Sequence, residues 1–332
     1  MDGAYKQNIM TFNDLYFTTS SGVKLNYVKG QNNGNPIIFI PGQSATWENY
    51  KPILSLLSEK NQVFSLSIRG HGKSDWTKGN YNFNIIGNDI VEFIEHVVKR
   101  PVILVGNSSG GLISLWLGVN RPDLALGIVL EDAPLFSADY PRIKEEYVFD
   151  VLSKTSHYLN KDNPDYRGLF SVMERPLPNG QSKFLPAWLC KFLAFLITRQ
   201  DNFIFHFLTQ LLPKKIKRLI TDLPTFDPDF SQSWVDGRIY EGLNHADALR
   251  KIKLPLLILH SNWYRTKKGL IGAMDDNDAK MAQELAPHAK YLRINAGHGI
   301  HTEKPNEFSN IIVNFTKEIN SEPLNLPMLK YI

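Results

Sequence analysis

Ser108 sits in the pentapeptide Gly106-Asn107-Ser108-Ser109-Gly110, directly after the apolar run of residues 101–105. A hydroxyl becomes a useful nucleophile only when it is held exposed, beside a base and beside donors for the charge it creates. The G-x-S-x-G spacing meets the first condition. The apolar, β-branched residues before it read as a buried strand, and residues 112–120 read as a helix. A serine at so sharp a strand-to-helix turn is forced into a strained backbone, and the flanking glycines relieve the crowding there. The expected chemistry is attack by Ser108 on an acyl carbon, giving an acyl-enzyme from an ester, lactone, thioester or amide.

The base is sought among nine histidines. His298, in Asn295-Ala296-Gly297-His298-Gly299-Ile300-His301, occupies a glycine-flanked loop after the last expected strand. From there a side chain reaches across the C-terminal edge of a sheet. A neutral imidazole takes the serine proton and returns it to a leaving group near neutral pH. His301 lacks the glycine bracket and is expected to face the following helix. His71 reads as a turn held by hydrogen bonds and His96 as a helix-surface residue. The acid is harder to place. The strand read at residues 254–260 is followed by Ser261-Asn262-Trp263-Tyr264-Arg265, with no carboxylate until Asp275 and Asp276. An earlier strand ends in Leu130-Glu131-Asp132-Ala133-Pro134, where alternation sends Glu131 and Asp132 to opposite sides. Asp132, one of Asp275 and Asp276, and Glu131 or no acid at all are the three readings.

These groups need a frame. Residues 23–28, 36–40, 63–67 and 127–130 read as strands, and residues 47–58 and 85–98 as amphipathic helices. Strands alternating with helices imply parallel pairing in a helix-covered sheet. The rhythm breaks at Pro134, and the next hundred or so residues show no convincing strand. It resumes with a strand at 255–259, a helix at 278–285, a strand at 290–294 and a helix at 306–319. The expected organisation is an α/β core over residues 1–133 and 251–320, a helical insertion at 134–250 and a surface tail at 321–332. Within the insertion, Leu185, Leu189, Phe192, Phe195 and Leu196 suggest a helix with a wide apolar face, mostly packed on the core domain and partly lining a pocket. The run Lys214-Lys215-Ile216-Lys217-Arg218 reads as a solvated helix face, with contact to anionic lipid as the alternative.

Four blocks, Pro41-Gly42-Gln43-Ser44, Ser67-Ile68-Arg69-Gly70-His71-Gly72-Lys73-Ser74, Gly106 to Gly110, and Gly297-His298, make the chain resemble an α/β-hydrolase of the capped, esterase-like kind. The match runs in order over about residues 12–133 and 250–320. The resemblance implies the α/β-hydrolase fold, a mostly parallel central sheet flanked by helices, with the insertion as a helical cap (lid) after the sixth strand. It implies an oxyanion hole built from the backbone N–H groups of Gln43 and Ser109. The usual acid position falls in 261–265, where this chain departs from the family. Some relatives, including haloalkane dehalogenases and a zearalenone-type lactonase group, place the acid one strand earlier, which selects Asp132. The implied catalytic set is Ser108, His298 and Asp132. A serine at the elbow argues against the haloalkane and epoxide chemistry of relatives with an aspartate there.

Composition narrows the rest. With 332 residues, 43% hydrophobic and 21% charged, the chain is globular, and its net charge of +4 makes no case for nucleic acid. A single cysteine, Cys190, excludes an internal disulfide and suits a reducing compartment. The polar start and the absence of a long apolar run imply no membrane span and a cytoplasmic protein. No metal or organic cofactor is expected, because neither ligand spacing nor a phosphate-binding glycine loop occurs. The expected partner is a small apolar or aromatic ester or lactone, and a homo-oligomer is left open. Hydrolysis of a carbon–carbon bond in a diketone-like substrate, or a ligand-binding receptor on the same scaffold, are the competing functions.

Overall fold

The computed structural model describes residues 11–199 and 203–321. Strands β1 (Leu15–Thr18), β2 (Lys24–Lys29), β3 (Pro36–Ile40), β4 (Gln62–Ser67), β5 (Val102–Asn107) and β6 (Ala125–Glu131) come first. Strands β7 (Glu174–Pro176), β8 (Ser182–Phe184), β9 (Leu256–His260), β10 (Tyr264–Thr266), β11 (Gly269–Ile271) and β12 (Lys290–Arg293) follow. Eight of them form one sheet in the order β1-β2-β4-β3-β5-β6-β9-β12. Pairing is parallel from β4 onward, while β1 and β2 join antiparallel.

Helices α1 (Lys51–Ser58), α2 (Phe83–Phe93) and α3 (Ser109–Asn120) alternate with the early strands. Alternate side chains of the central strands feed opposite faces, as the pleat requires. Ile38, Ile40 and Leu104 pack with α2 and α3, whereas Ile37, Phe39, Ile103 and Val105 pack with α1. Every residue of β3 is buried, which is why its sequence is continuously apolar rather than alternating. The expected mostly parallel, helix-flanked sheet is therefore the observed one.

Between β6 and β9 lie α4 (Tyr147–Leu159), α5 (Tyr166–Val172), α6 (Ala187–Ile197), α7 (Phe203–Gln210), α8 (Lys214–Asp222), α9 (Pro228–Val235) and α10 (His245–Lys251). The β7–β8 hairpin also lies here, contrary to the expectation of no strand; its three-residue strands are too short for a periodic signal. A second correction concerns the apolar face of α6. Leu193, Leu196 and Ile197 join a small separate core with Leu159, Leu169 and Phe170, rather than packing on the sheet domain. After β9, the β10–β11 hairpin, α11 (Asp276–Leu285), α12 (Ile300–Glu303) and α13 (Pro305–Ser321) complete the order. Ser321 closes α13, and the remainder of the expected tail lies outside the described residues. No described helix is long and apolar enough to cross a membrane.

Candidate active site

At the turn from β5 into α3, Ser108 has φ 54° and ψ −125°, a left-handed conformation that an L-residue adopts only under constraint. The constraint is close packing on both sides. A Cβ on Gly106 would stand 2.1 Å from the carbonyl oxygen of Gly110, and one on Gly110 would stand 2.1 Å from that of Ile40. Only glycine fits either place. Gly42 is confined too, though less severely, since a Cβ there would approach Ser108 Cβ to 2.9 Å. The loop after β3 is thus pressed against the serine.

Ser109 is the first residue of α3, so its amide has no acceptor within the helix. Gln43 lies across the same cavity, and its side chain donates to Ser231 Oγ on α9 at 3.0 Å. That contact ties the loop after β3 to α9, a link no local pattern announces.

His298 lies in the loop between β12 and α12. Gly297 N donates to Glu303 Oε2 at 2.8 Å, and Asn107 Nδ2 donates to His298 O at 3.0 Å. The residue before Ser108 therefore holds the backbone of His298. The imidazole, about half exposed (49%), places Nδ1 2.6 Å from Asp132 Oδ2. Asp132 is wholly buried and follows β6 with φ 46°. Its Oδ1 accepts from Ser261 N at 2.9 Å and its Oδ2 from Ser261 Oγ at 2.7 Å. The residue after β9 supports the carboxylate instead of carrying it.

Burial pushes the Asp132 carboxyl up, but the bonds from His298 and Ser261 outweigh it and hold the group below the ordinary carboxylate value. Desolvation works against protonating His298, yet the hydrogen bond and charge of Asp132 prevail and raise it above the ordinary histidine value.

The other carboxylates are engaged elsewhere. Glu131 meets His301 Nδ1 at 2.8 Å, both inside the protein, and that ring also packs beside Tyr50 and Phe308. Asp275 caps α11 by accepting from Asn277 N and Asp278 N, each at 3.0 Å, and pairs with Arg265. Asp276 accepts from Trp263 Nε1 and Arg293 Nη1. His71 is buried, with Nδ1 3.0 Å from Arg69 O, and His96 is exposed at the end of its helix.

Ser108, Ser109, Gln43 and His298 line one cavity of about 410 Å³. Its walls are mainly apolar, with Tyr147, Val151 and Leu152 from α4, Trp234 from α9, and Leu270 and Ile271 from β11. The β10–β11 hairpin, unforeseen in the sequence, fills the stretch between β9 and α11 and forms part of this wall. Among the described residues no group of three histidine, cysteine, aspartate or glutamate side chains is placed to hold a metal.

Comparisons with known proteins agree with this architecture. Ethanol acetyltransferase 1 of Wickerhamomyces anomalus is 23% identical over 297 residues, covering 85% of this chain and 68% of that protein. A thermophilic esterase from Thermogutta terrifontis superposes with a TM-score of 0.63 at 17% identity, covering 94% of this chain and all of the other (100%). The enol-lactonase of Burkholderia xenovorans superposes with a TM-score of 0.58 at 15% identity, covering 91% and 100%. The family model for the alpha/beta hydrolase fold matches residues 35–305, and the chain is an enzyme of that family.

Proposed function

We propose that the chain cleaves a carboxylic ester or lactone with an apolar or aromatic portion, through an acyl-enzyme on Ser108. One observation carries the reading: a histidine bonded to a buried aspartate shares a cavity with a serine held on a strained turn. Ser108 Oγ attacks the carbonyl carbon while His298 takes its proton. The amides of Gln43 and Ser109 receive the developing alkoxide, a charge best met by donors already in place. His298 then protonates the leaving alcohol oxygen. Water attacks the acyl-enzyme, gives its proton to His298, and the acid leaves with Ser108 restored. Asp132 stays ionised throughout, fixing the tautomer and offsetting the imidazolium. Residues 134–250 serve as the cap, with α4 and α9 closing the apolar chamber over the serine.

A second reading shares the first half of the cycle. The name of the yeast relative, and walls that favour an apolar alcohol over water, support transfer of the acyl group to an alcohol. The two differ only in which oxygen attacks the acyl-enzyme.

A fluorophosphonate probe combined with a p-nitrophenyl ester assay tests both. Labelling at Ser108 with turnover, both lost in Ser108→Ala, is the expected result. Adding ethanol then yields either free acid or ethyl ester from the same intermediate. A Ser108→Ala protein that still labels and turns over would remove the proposal.

A further inference from the structure

The cap carries a surface that the chemistry at Ser108 does not use. Helix α6 is apolar on two sides. Cys190, Leu193, Leu196 and Ile197 face inward, against α5 and α8. The opposite side exposes Trp188 (68%) and Phe195 (49%), with Phe184 (57%) on the strand leading into the helix. Trp188, Lys191, Phe195 and Arg199 recur at helical spacing, so they fall on one outer stripe. Arg199 lies in the turn that closes α6, its amide donating to Leu196 O at 3.0 Å, and its guanidinium sits over the Phe195 ring at 5.6 Å. Lys191 is exposed between the two rings of the stripe.

Single exposed apolar residues are ordinary on a protein surface, but large rings gathered on one stripe and interleaved with cations are not. An aromatic side chain prefers the boundary between water and hydrocarbon, and a cation beside it prefers anionic headgroups. A second copy of this chain would bring the same cations against one another. We infer that the outer stripe of α6 docks the enzyme on an anionic lipid surface, with Trp188 and Phe195, joined by Phe184, entering the headgroup boundary and Lys191 and Arg199 pairing with phosphates. Binding here is peripheral, and the inference does not rest on the catalytic reading.

The test is flotation of the full chain with two kinds of vesicle. One is phosphatidylcholine alone; the other contains about one-quarter phosphatidylglycerol to supply the negative surface potential. Binding to the anionic vesicles is expected to exceed that to neutral ones by at least about tenfold, and to fall steeply near 1 M salt, where the screening length is about 3 Å. Trp188→Ala/Phe195→Ala and Lys191→Glu/Arg199→Glu should each lower it at least about tenfold. These side chains are exposed, so the thermal midpoint and the turnover of a soluble ester should stay at wild-type values. Should either double variant melt abnormally, Lys191→Glu alone repeats the comparison. Absence of binding to anionic vesicles, or equal binding by the variants, would overturn the inference. So would a dimer seen by light scattering that Trp188→Ala/Phe195→Ala dissolves without any vesicle binding, which would assign the stripe to a second copy.

Discussion

Glu131 and His301 form a fully enclosed carboxylate–imidazole pair, 2.8 Å apart, one residue along the chain from Asp132. The pleat at the end of β6 sends Glu131 toward Tyr50 and Phe308, while Asp132 turns to Ser261 and His298. His301 N also donates to Glu131 Oε1 at 2.8 Å, so the pair anchors the start of α12 and with it the loop bearing His298. Two adjacent carboxylates thus hold two histidines three positions apart.

His301→Ala removes the imidazole from Glu131 and leaves the backbone amide of residue 301 as its donor. Losing a buried hydrogen bond of this kind costs about 1–3 kcal/mol. Urea unfolding should show a loss of that order, while the residual activity keeps the wild-type acidic limb in its pH profile. A variant as stable as wild type would contradict the structural role.

The base must be neutral to accept the serine proton, and Asp132 raises His298 above its ordinary 6.5. The acidic limb of kcat/KM should therefore lie above that value. Asp132→Asn should move the limb down and lower kcat by about 10⁴-fold through the wrong tautomer. Asp275→Asn should leave turnover nearly unchanged, and because asparagine caps a helix as well as aspartate does, it weakens only the pairing with Arg265 and Arg142. Equal effects of the two substitutions would place the acid elsewhere.

Two buried histidines outside the proposed catalytic set each subtract stability as the solution is acidified. Burial lowers His71 to about 4 and His245 to about 3, against an ordinary value of 6.5. A depressed folded value means the unfolded chain binds the proton first, so the stabilisation is complete above 6.5 and lost as pH falls toward the folded values. Asp132, also held low, adds a loss in the same direction at still lower pH. Asp139 and Asp222, raised by burial to about 6, act in the opposite sense, so the histidine contribution is read by comparison: urea midpoints measured from neutral pH down to about 4 should decline less in His71→Phe than in wild type. Midpoints that change in parallel in the two proteins would refute it.

Gly42→Ala tests the loop after β3. The added methyl would meet Ser108 Cβ at 2.9 Å, and relief requires the loop to withdraw, taking the Gln43 amide with it. A displaced oxyanion donor costs about 10²–10³-fold in kcat. Steady-state kinetics should show that loss in kcat with a smaller change in KM. Wild-type kcat would show that the Gln43 amide has no part in the reaction.

The features legible in the sequence were those with local causes. The turn at Ser108 is announced by glycines that relieve nearby crowding, and the glycines about His298 mark an exposed loop. The pairing of Asp132 with His298 depends on adjacency of β6, β9 and β12, which no window of sequence contains; an apolar run ending in Glu131-Asp132 only narrowed the choice. Strand β1 escaped notice because it is a half-exposed, four-residue edge strand. The β10–β11 hairpin escaped because Tyr264-Arg265-Thr266 is short and polar, and its register comes from Gly269, which has φ 96°. The outward rings of α6 misled in the other direction, since an apolar residue at helical spacing does not declare which side is buried.

On the proposed mechanism, Ser108 Oγ is the atom acylated during turnover. Acid quenching of the enzyme during steady-state turnover of p-nitrophenyl acetate, followed by peptide mass spectrometry, measures this directly. An acetyl group is expected on the peptide containing Ser108, accumulating further in Asp132→Asn as water is activated more slowly. Sustained turnover with the acetyl group on another residue, or with no acylated peptide in either protein, would contradict it.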